Sequence, residues 1–173
     1  IPDGWADKLG DTLLTSDSVF ELTDLPNSMA VVGAGAIGLE LAQAFTRLGV
    51  EVTLFNRVKR VAGLKDDDIN DKAIDCLSSE LTMHLGSKIT DIGTKTDAGS
   101  DSAFIEYEDS AGASQQWQGE CVLVATGRRN NIKQLGIENL GVELDDKNRP
   151  KNLSKKTGQI GDSDIYIVGD ANA

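Results

Sequence analysis

Met29-Ala-Val-Val-Gly33-Ala-Gly35-Ala-Ile-Gly38-Leu-Glu40-Leu-Ala42 is the stretch that decides the fold. Apolar residues run into a G-x-G-x-x-G, and helix formers follow without a break. The glycine pattern alone is a weak signal; between a buried strand and a helix it is a strong one. Each glycine has a physical task there. Gly33 turns the chain tightly at the strand end. Gly35 has no Cβ, so backbone can approach a pyrophosphate. Gly38 lets the helix lie close to the sheet. Free amides at the helix start, and the positive end of its dipole, then face the phosphates. An ordinary glycine-rich turn is the plain alternative.

Outward from this motif the chain alternates strand and helix. Residues 1–27 are a lead-in, with one short capped helical turn at 16–22 and Pro26-Asn27 as punctuation. Residues 29–32 are expected as a strand and 36–48 as a helix. Its apolar stripe is read as Ile37, Leu41, Ala44, Phe45 and Leu48, and Gly49 ends it. A strand at 50–55 leads into the basic loop Asn56-Arg57-Val58-Lys59-Arg60. Asp66-Asp67-Asp68 opens a second helix, reaching about Ser79, with its acids where the dipole favours them; this is preferred over a metal site. A third strand covers 81–85. Short strands at 88–95, 102–108 and 115–120 then form an antiparallel meander. Residues 122–125 read as a buried strand ending in Thr126-Gly127, and 165–168 as another ending in Gly169-Asp170. The class is α/β: a doubly wound, Rossmann-type parallel sheet in which an antiparallel β-meander replaces a crossover helix. Ligands of such sheets bind at the carboxyl ends of the strands, where Gly33, Asn56 and Gly127 fall.

Composition narrows the partners. A chain of 173 residues can bury one sizeable core, and 39% hydrophobic with 26% charged residues fits a globular, water-soluble protein. No run is apolar enough to span a bilayer and none reads as a signal peptide, so a cytoplasmic location is expected. A net charge of −11 argues against nucleic acid and anionic membranes as partners. The phosphates of a dinucleotide must then be met locally, by backbone amides and a few cations. Cys76 and Cys121 have neither CxxC nor metal-ligand spacing and are expected as buried free thiols. His84, the single histidine, is read as a strand or loop residue without a catalytic role.

Four motifs in order give a family resemblance: Val32-Gly-Ala-Gly-Ala-Ile-Gly-Leu-Glu40, Phe55-Asn-Arg57, Val124-Ala-Thr-Gly-Arg128 and Ile167-Val-Gly-Asp-Ala171. Over roughly residues 11–173 the chain resembles the middle of a class I pyridine-nucleotide–disulfide oxidoreductase, dihydrolipoamide dehydrogenase in particular. The segment Gly136-Ile-Glu-Asn-Leu-Gly-Val142 also looks like that family. The resemblance implies an NAD(P)-binding domain at 28–147, inserted into an FAD domain. Residues 1–27 would lead in from the FAD side and 148–173 return toward it. It implies that backbone around Gly35, Ala36 and Ile37 receives the pyrophosphate and that Glu40 lies near the nicotinamide carboxamide. Thr126 and Gly127 would let the chain pass close to the nucleotide, and Asp170 would contact the flavin nucleotide's ribitol. The sequence departs from the family pattern at Asn130, where a proline is usual.

The family's first glycine motif, redox-active CxxxxC and C-terminal His-Glu pair are not in these 173 residues. The chain is therefore expected to be a piece of a larger, homodimeric flavoenzyme, inactive alone, with no catalytic residue of its own and no metal. In the intact enzyme hydride would pass between nicotinamide and FAD. NAD-specific sites usually place an acid at the end of the second strand. Here Asn56 stands there, followed by Arg57, with Lys59 and Arg60 close behind. An acid would repel a 2′-phosphate and Asn does not, so NADP is favoured over NAD; Asn56 can still bond a bare ribose, which keeps NAD open. Two alternatives remain: a related flavin reductase with a non-disulfide acceptor, and a non-enzymatic nucleotide-sensing domain.

Overall fold

A computed structural model of the chain describes residues 1–97, 99–127, 135–145 and 149–169. In chain order its elements are α1 (Trp5–Leu9), β1 (Leu13–Thr15), β2 (Ser28–Val32), α2 (Ala36–Arg47), β3 (Glu51–Asn56), α3 (Asp67–Ser78) and β4 (Thr82–Leu85). They continue with β5 (Lys88–Asp97), β6 (Ser100–Glu108), β7 (Ser114–Gly119) and β8 (Cys121–Val124). Residues 1–127 form one compact unit and 128–173 a second.

The first unit is built on a parallel sheet of order β1-β8-β2-β3-β4. Its inner strands carry near-continuous apolar runs because both faces are covered. On one face Val31, Leu54 and Leu123 pack with Leu41 and Phe45 of α2 and with Ala73, Ile74 and Leu77 of α3. On the other, Ala30, Val32, Phe55, Val122 and Val124 pack with Leu9, Ile92, Ile105 and Tyr107. The second cover is the antiparallel sheet β5-β6-β7. The meander thus supplies the layer that a crossover helix would otherwise provide. At the centre, Val32 lies opposite both Phe55 and Val124, which aligns the carboxyl ends of β2, β3 and β8.

Three local expectations differ from the structure. The buried face of α2 is Gly38, Leu41, Ala42 and Phe45, an i, i+3, i+4, i+7 set, with Leu39 beside it. Ile37, Ala44 and Leu48 are exposed. Small residues at 38 and 42 let the helix come close, so the contact stripe rotates toward them and away from the larger Leu48. Cys76 is exposed and only Cys121 is buried, where loss of solvation pushes its thiol up to about 12. The expected strand at 165–168 is reduced to one antiparallel bridge between Gln159 and Tyr166, with Tyr166 and Val168 exposed. Among the described residues its ladder partner is the short segment Gly158–Ile160, with Ile167 N donating to Gly158 O at 2.8 Å, too little pairing to build a strand.

Two further features come from the amino-terminal segment. β1 closes one edge of the parallel sheet beside β8, and α1 packs on β5. Asp66 caps α3, its carboxylate accepting from Ile69 N at 3.1 Å. That accounts for the start of the aspartate run. Among the described residues no cluster of His, Cys, Asp or Glu is arranged to hold a metal. None of the helices among them is long and apolar enough to cross a membrane.

In the second unit, Ile137, Ile160 and Ile167 form a small core with Val142, Leu144 and Leu153 around it. Asp145 accepts from the Arg149 guanidinium at 2.7 Å.

Candidate functional site

The glycine motif occupies the crossing of β2, α2 and β8. Gly33 has φ of 112°, a conformation that disfavours any side chain. A Cβ there would sit 2.4 Å from Ala125 O, and one at Gly38 would sit 1.9 Å from Gly33 O. These two glycines are required by the protein's own packing. Gly35 is different. It is the N-cap of α2 with φ of −72°, and a Cβ placed on it meets nothing within 4 Å. Its missing side chain leaves open space and nothing else.

That space belongs to a cleft of about 850 Å³ at the carboxyl ends of the strands. Gly33, Gly35, Asn56, Arg57, Thr126 and Gly127 all line it, so six of the sequence-selected residues converge. The first intrahelical bond of α2 runs from Leu39 N to Gly35 O at 3.0 Å. The amides of Gly35, Ala36 and Ile37 have no acceptor among the described residues, and Gly35 offers no capping side chain. Three unsatisfied donors at a helix start favour an anion. Ala36, Ile37 and Glu40 sit exposed on the first turns of α2, outside the cleft walls. Gly38 is buried beneath it. Asp170 and the 128–131 run lie outside the described residues.

The basic loop divides its cations. The Arg60 guanidinium donates to Leu64 O and Lys65 O, each at 3.1 Å, and pairs with Asp67. Arg57 lines the large cleft and has no hydrogen-bond or ion-pair partner among the described residues. Arg60 instead lines an adjoining pocket of about 500 Å³ with Lys65, Gly63 and Leu64; Gly35 and Asn56 belong to both. Asn56 Oδ1 accepts from Ala34 N at 3.3 Å, while its Nδ2 donates to Val58 O and Arg60 O, both at 2.9 Å.

Further residues complete the cleft that the glycine motif did not signal. Trp5 reaches it from α1, and Phe55, Ser87, Lys88 and Ile89 wall the side toward the meander. Ser87 N donates to Asn56 O at 3.1 Å, joining the start of that wall to β3. The apolar-to-basic change at Ile89 and Lys88 opens β5 but carries no motif, and Trp5 arrives only through tertiary packing. Behind Phe55, His84 stacks at 5.1 Å between ring centroids. Its ring nitrogen lies 3.4 Å from Tyr107 Oη. Burial lowers the imidazole pKa below the usual histidine range, with Asp109 opposing the shift. His84 is thus a partly buried packing residue, as its apolar sequence neighbours suggest.

A parallel sheet with glycine-motif turn, flanking helices and an antiparallel cover defines a doubly wound α/β domain of Rossmann type. The chain belongs to the pyridine nucleotide-disulphide oxidoreductase family, whose sequence profile matches residues 3–172. It is dihydrolipoamide-dehydrogenase-like: 35% identical over 166 residues to the mitochondrial dihydrolipoyl dehydrogenase of Homo sapiens, covering 94% of this chain and 32% of that protein. It is 36% identical over 157 residues to a mercuric reductase of Staphylococcus aureus, covering 91% of this chain and 28% of the relative. Among solved structures it is similar to LpdA from Mycobacterium tuberculosis, with TM-score 0.70, 25% identity, and coverage of 91% of this chain and 32% of that one. The fold also matches the copper(II) complex of a cysteine variant of the HOCl-induced flavoprotein disulfide reductase RclA from Escherichia coli. There the TM-score is 0.76 at 21% identity, covering 99% of this chain and 36% of that one. The chain spans about a third of the length of the curated relatives it matches.

Proposed function

We propose that the cleft binds a nicotinamide dinucleotide, NADP in preference to NAD, and that the chain is the nucleotide-binding portion of an FAD-dependent disulfide reductase resembling dihydrolipoamide dehydrogenase. Residues 28–147 would carry the NAD(P) domain, with β1 and Trp5 of the lead-in 1–27 packing into it and 148–173 returning toward the FAD side of a homodimeric enzyme. The observation that carries this reading is Gly35. Its absent side chain serves no internal packing, yet it keeps open the space in front of three unsatisfied helix-start amides.

The chain's own residues would bind and orient. The amides of Gly35, Ala36 and Ile37 would hold the pyrophosphate, with the α2 dipole adding a favourable field. Thr126 and Gly127 would line the opposite side of the cleft. Arg57, without a partner among the described residues and next to Asn56, would meet a 2′-phosphate, and no acid at the end of β3 would repel it. Trp5, Phe55 and Ile89 would exclude water from the apolar side. When bound, the nicotinamide supplies hydride transfer, and the protein's contribution is placement and electrostatics. Asn56 in place of a carboxylate, with Arg57 beside it, supports NADP over NAD, since a charge-assisted bond to phosphate contributes about 1.5–3 kcal/mol.

Titration calorimetry with NADP and NAD tests the binding. A turnover assay with a dithiol or disulfide substrate tests the division of labour. Binding without turnover is expected. Robust disulfide reduction by these residues alone would refute the reading of the chain as the nucleotide-binding portion.

A further inference from the structure

The loop between β3 and α3 is folded by two asparagine side chains. From the β3 side, Asn56 Nδ2 takes the carbonyls of Val58 and Arg60, both at 2.9 Å, while Oδ1 accepts from Ala34 in the glycine motif. From the α3 side, buried Asn70 donates from Nδ2 to Lys59 O at 3.1 Å and accepts from Val61 N at 3.1 Å. The polar backbone of residues 58–61 is thus gripped by alternate amides. The loop then reverses through Ala62, which has φ of 53°, the one non-glycine residue with positive φ among those described, and Gly63 at 69°. Ala62 N donates to Ala34 O at 2.8 Å, tying the loop to the glycine motif a second time. Val61 is fully buried and anchors the middle.

We infer that Asn56 and Asn70 are positioning residues for nucleotide choice: together they pre-build the 57–65 loop so that Arg57 stands in the cleft ready for a ribose 2′-phosphate. This rests on the cleft being a dinucleotide site, and it changes the role of Asn56. Its amide is spent on the loop, holding the cation-bearing segment against the glycine motif, instead of being reserved for the ribose hydroxyls. A carboxylate at position 56 would keep the acceptor for Ala34 but lose both donations and face two carbonyl oxygens. An aspartate there would loosen the loop and would not create a working NAD site. Asn70 lines neither the cleft nor the adjoining pocket, so it can influence the nucleotide only through the loop.

The test compares wild type, Asn70→Asp and Asn56→Asp by calorimetric titration with NADP and NAD, with hydrogen exchange at the Ala62 amide and the unfolding midpoint measured in parallel. Asn70→Asp keeps the acceptor for Val61 N and removes the donations to Lys59 O and to Asp71 Oδ1. It is expected to speed Ala62 exchange and weaken NADP about tenfold, equivalent to about 1.4 kcal/mol, because the competent loop is less populated. NAD, which has no phosphate to meet Arg57, should change far less. Asn56→Asp should speed the same exchange and fail to tighten NAD. Tighter NAD binding by Asn56→Asp with unchanged Ala62 exchange would overturn the inference and return Asn56 to a direct ribose role. Faster exchange in Asn70→Asp with an unchanged NADP-to-NAD ratio would also overturn it. A wild-type chain that binds neither nucleotide would instead sink the dinucleotide reading itself, and the inference with it.

Discussion

Replacing Gly35 with valine separates the demands of the fold from the demands of a ligand. At this N-cap φ is −72° and ψ is 177°, backbone that valine adopts freely, and a Cβ has nothing within 4 Å. The folded protein therefore loses only cap quality, about 1 kcal/mol, or about 2–4 °C in unfolding midpoint for a domain of this size. The branched side chain points into the space before the amides of Gly35, Ala36 and Ile37. A pyrophosphate there would lose charge-assisted bonds of about 1.5–3 kcal/mol each. Losing two lowers affinity by at least about a hundredfold. Gly38→Ala is the reciprocal control. Its Cβ would fall 1.9 Å from Gly33 O, so it should depress the midpoint strongly by pushing α2 off the sheet. The assay is calorimetric titration alongside thermal unfolding. Gly35→Val that folds and binds dinucleotide like wild type would refute the assignment of the cleft.

Arg57→Ala should weaken NADP about ten- to hundredfold and NAD far less, and moderate salt should erode the NADP advantage, because an exposed cation is screened; equal loss for both cofactors would make Arg57 a surface cation only. Under native conditions a thiol reagent should modify Cys76 and leave Cys121 until unfolding, since Cys76 is exposed while the Cys121 thiol is buried and pushed up to about 12. The depressed pKa of His84 means that the unfolded chain takes up its proton first, near pH 6.5. Stability linked to His84 is therefore full above that pH and falls as pH drops toward the lower folded value. His84→Phe should flatten the unfolding midpoint between about pH 7 and 5, and an unchanged slope would remove His84 as the cause.

The sequence reads most clearly where local pattern and tertiary role coincide. The β2–turn–α2 unit is legible because its glycines sit between an apolar strand and a helix, and the meander because its turns recur between short alternating strands. Three-residue β1 carries too little pattern to stand out; its partner β8 is what makes it a strand. The face of α2 is hidden from a reading by bulk, because close approach decides it: Gly38 and Ala42 pack where Leu48 does not. Within the basic loop, Arg57 and Arg60 are chemically alike in sequence, yet loop carbonyls and Asp67 consume one and leave the other. Asn56 is legible as a departure from the acid expected at that position. Its grip on Val58 and Arg60 depends on a loop shape that only the folded chain defines. Trp5 reaches the cleft across a long sequence gap, with no motif to announce it.

The most direct measurement is a heteronuclear NMR titration of the chain with NADP, following assigned backbone amides. Saturable shifts concentrated at Gly35, Ala36, Ile37, Arg57, Thr126 and Gly127, with weaker changes when NAD replaces NADP, are expected if this cleft holds the dinucleotide. Binding that leaves these amides unmoved and shifts residues elsewhere, or no binding at millimolar nucleotide, would contradict it.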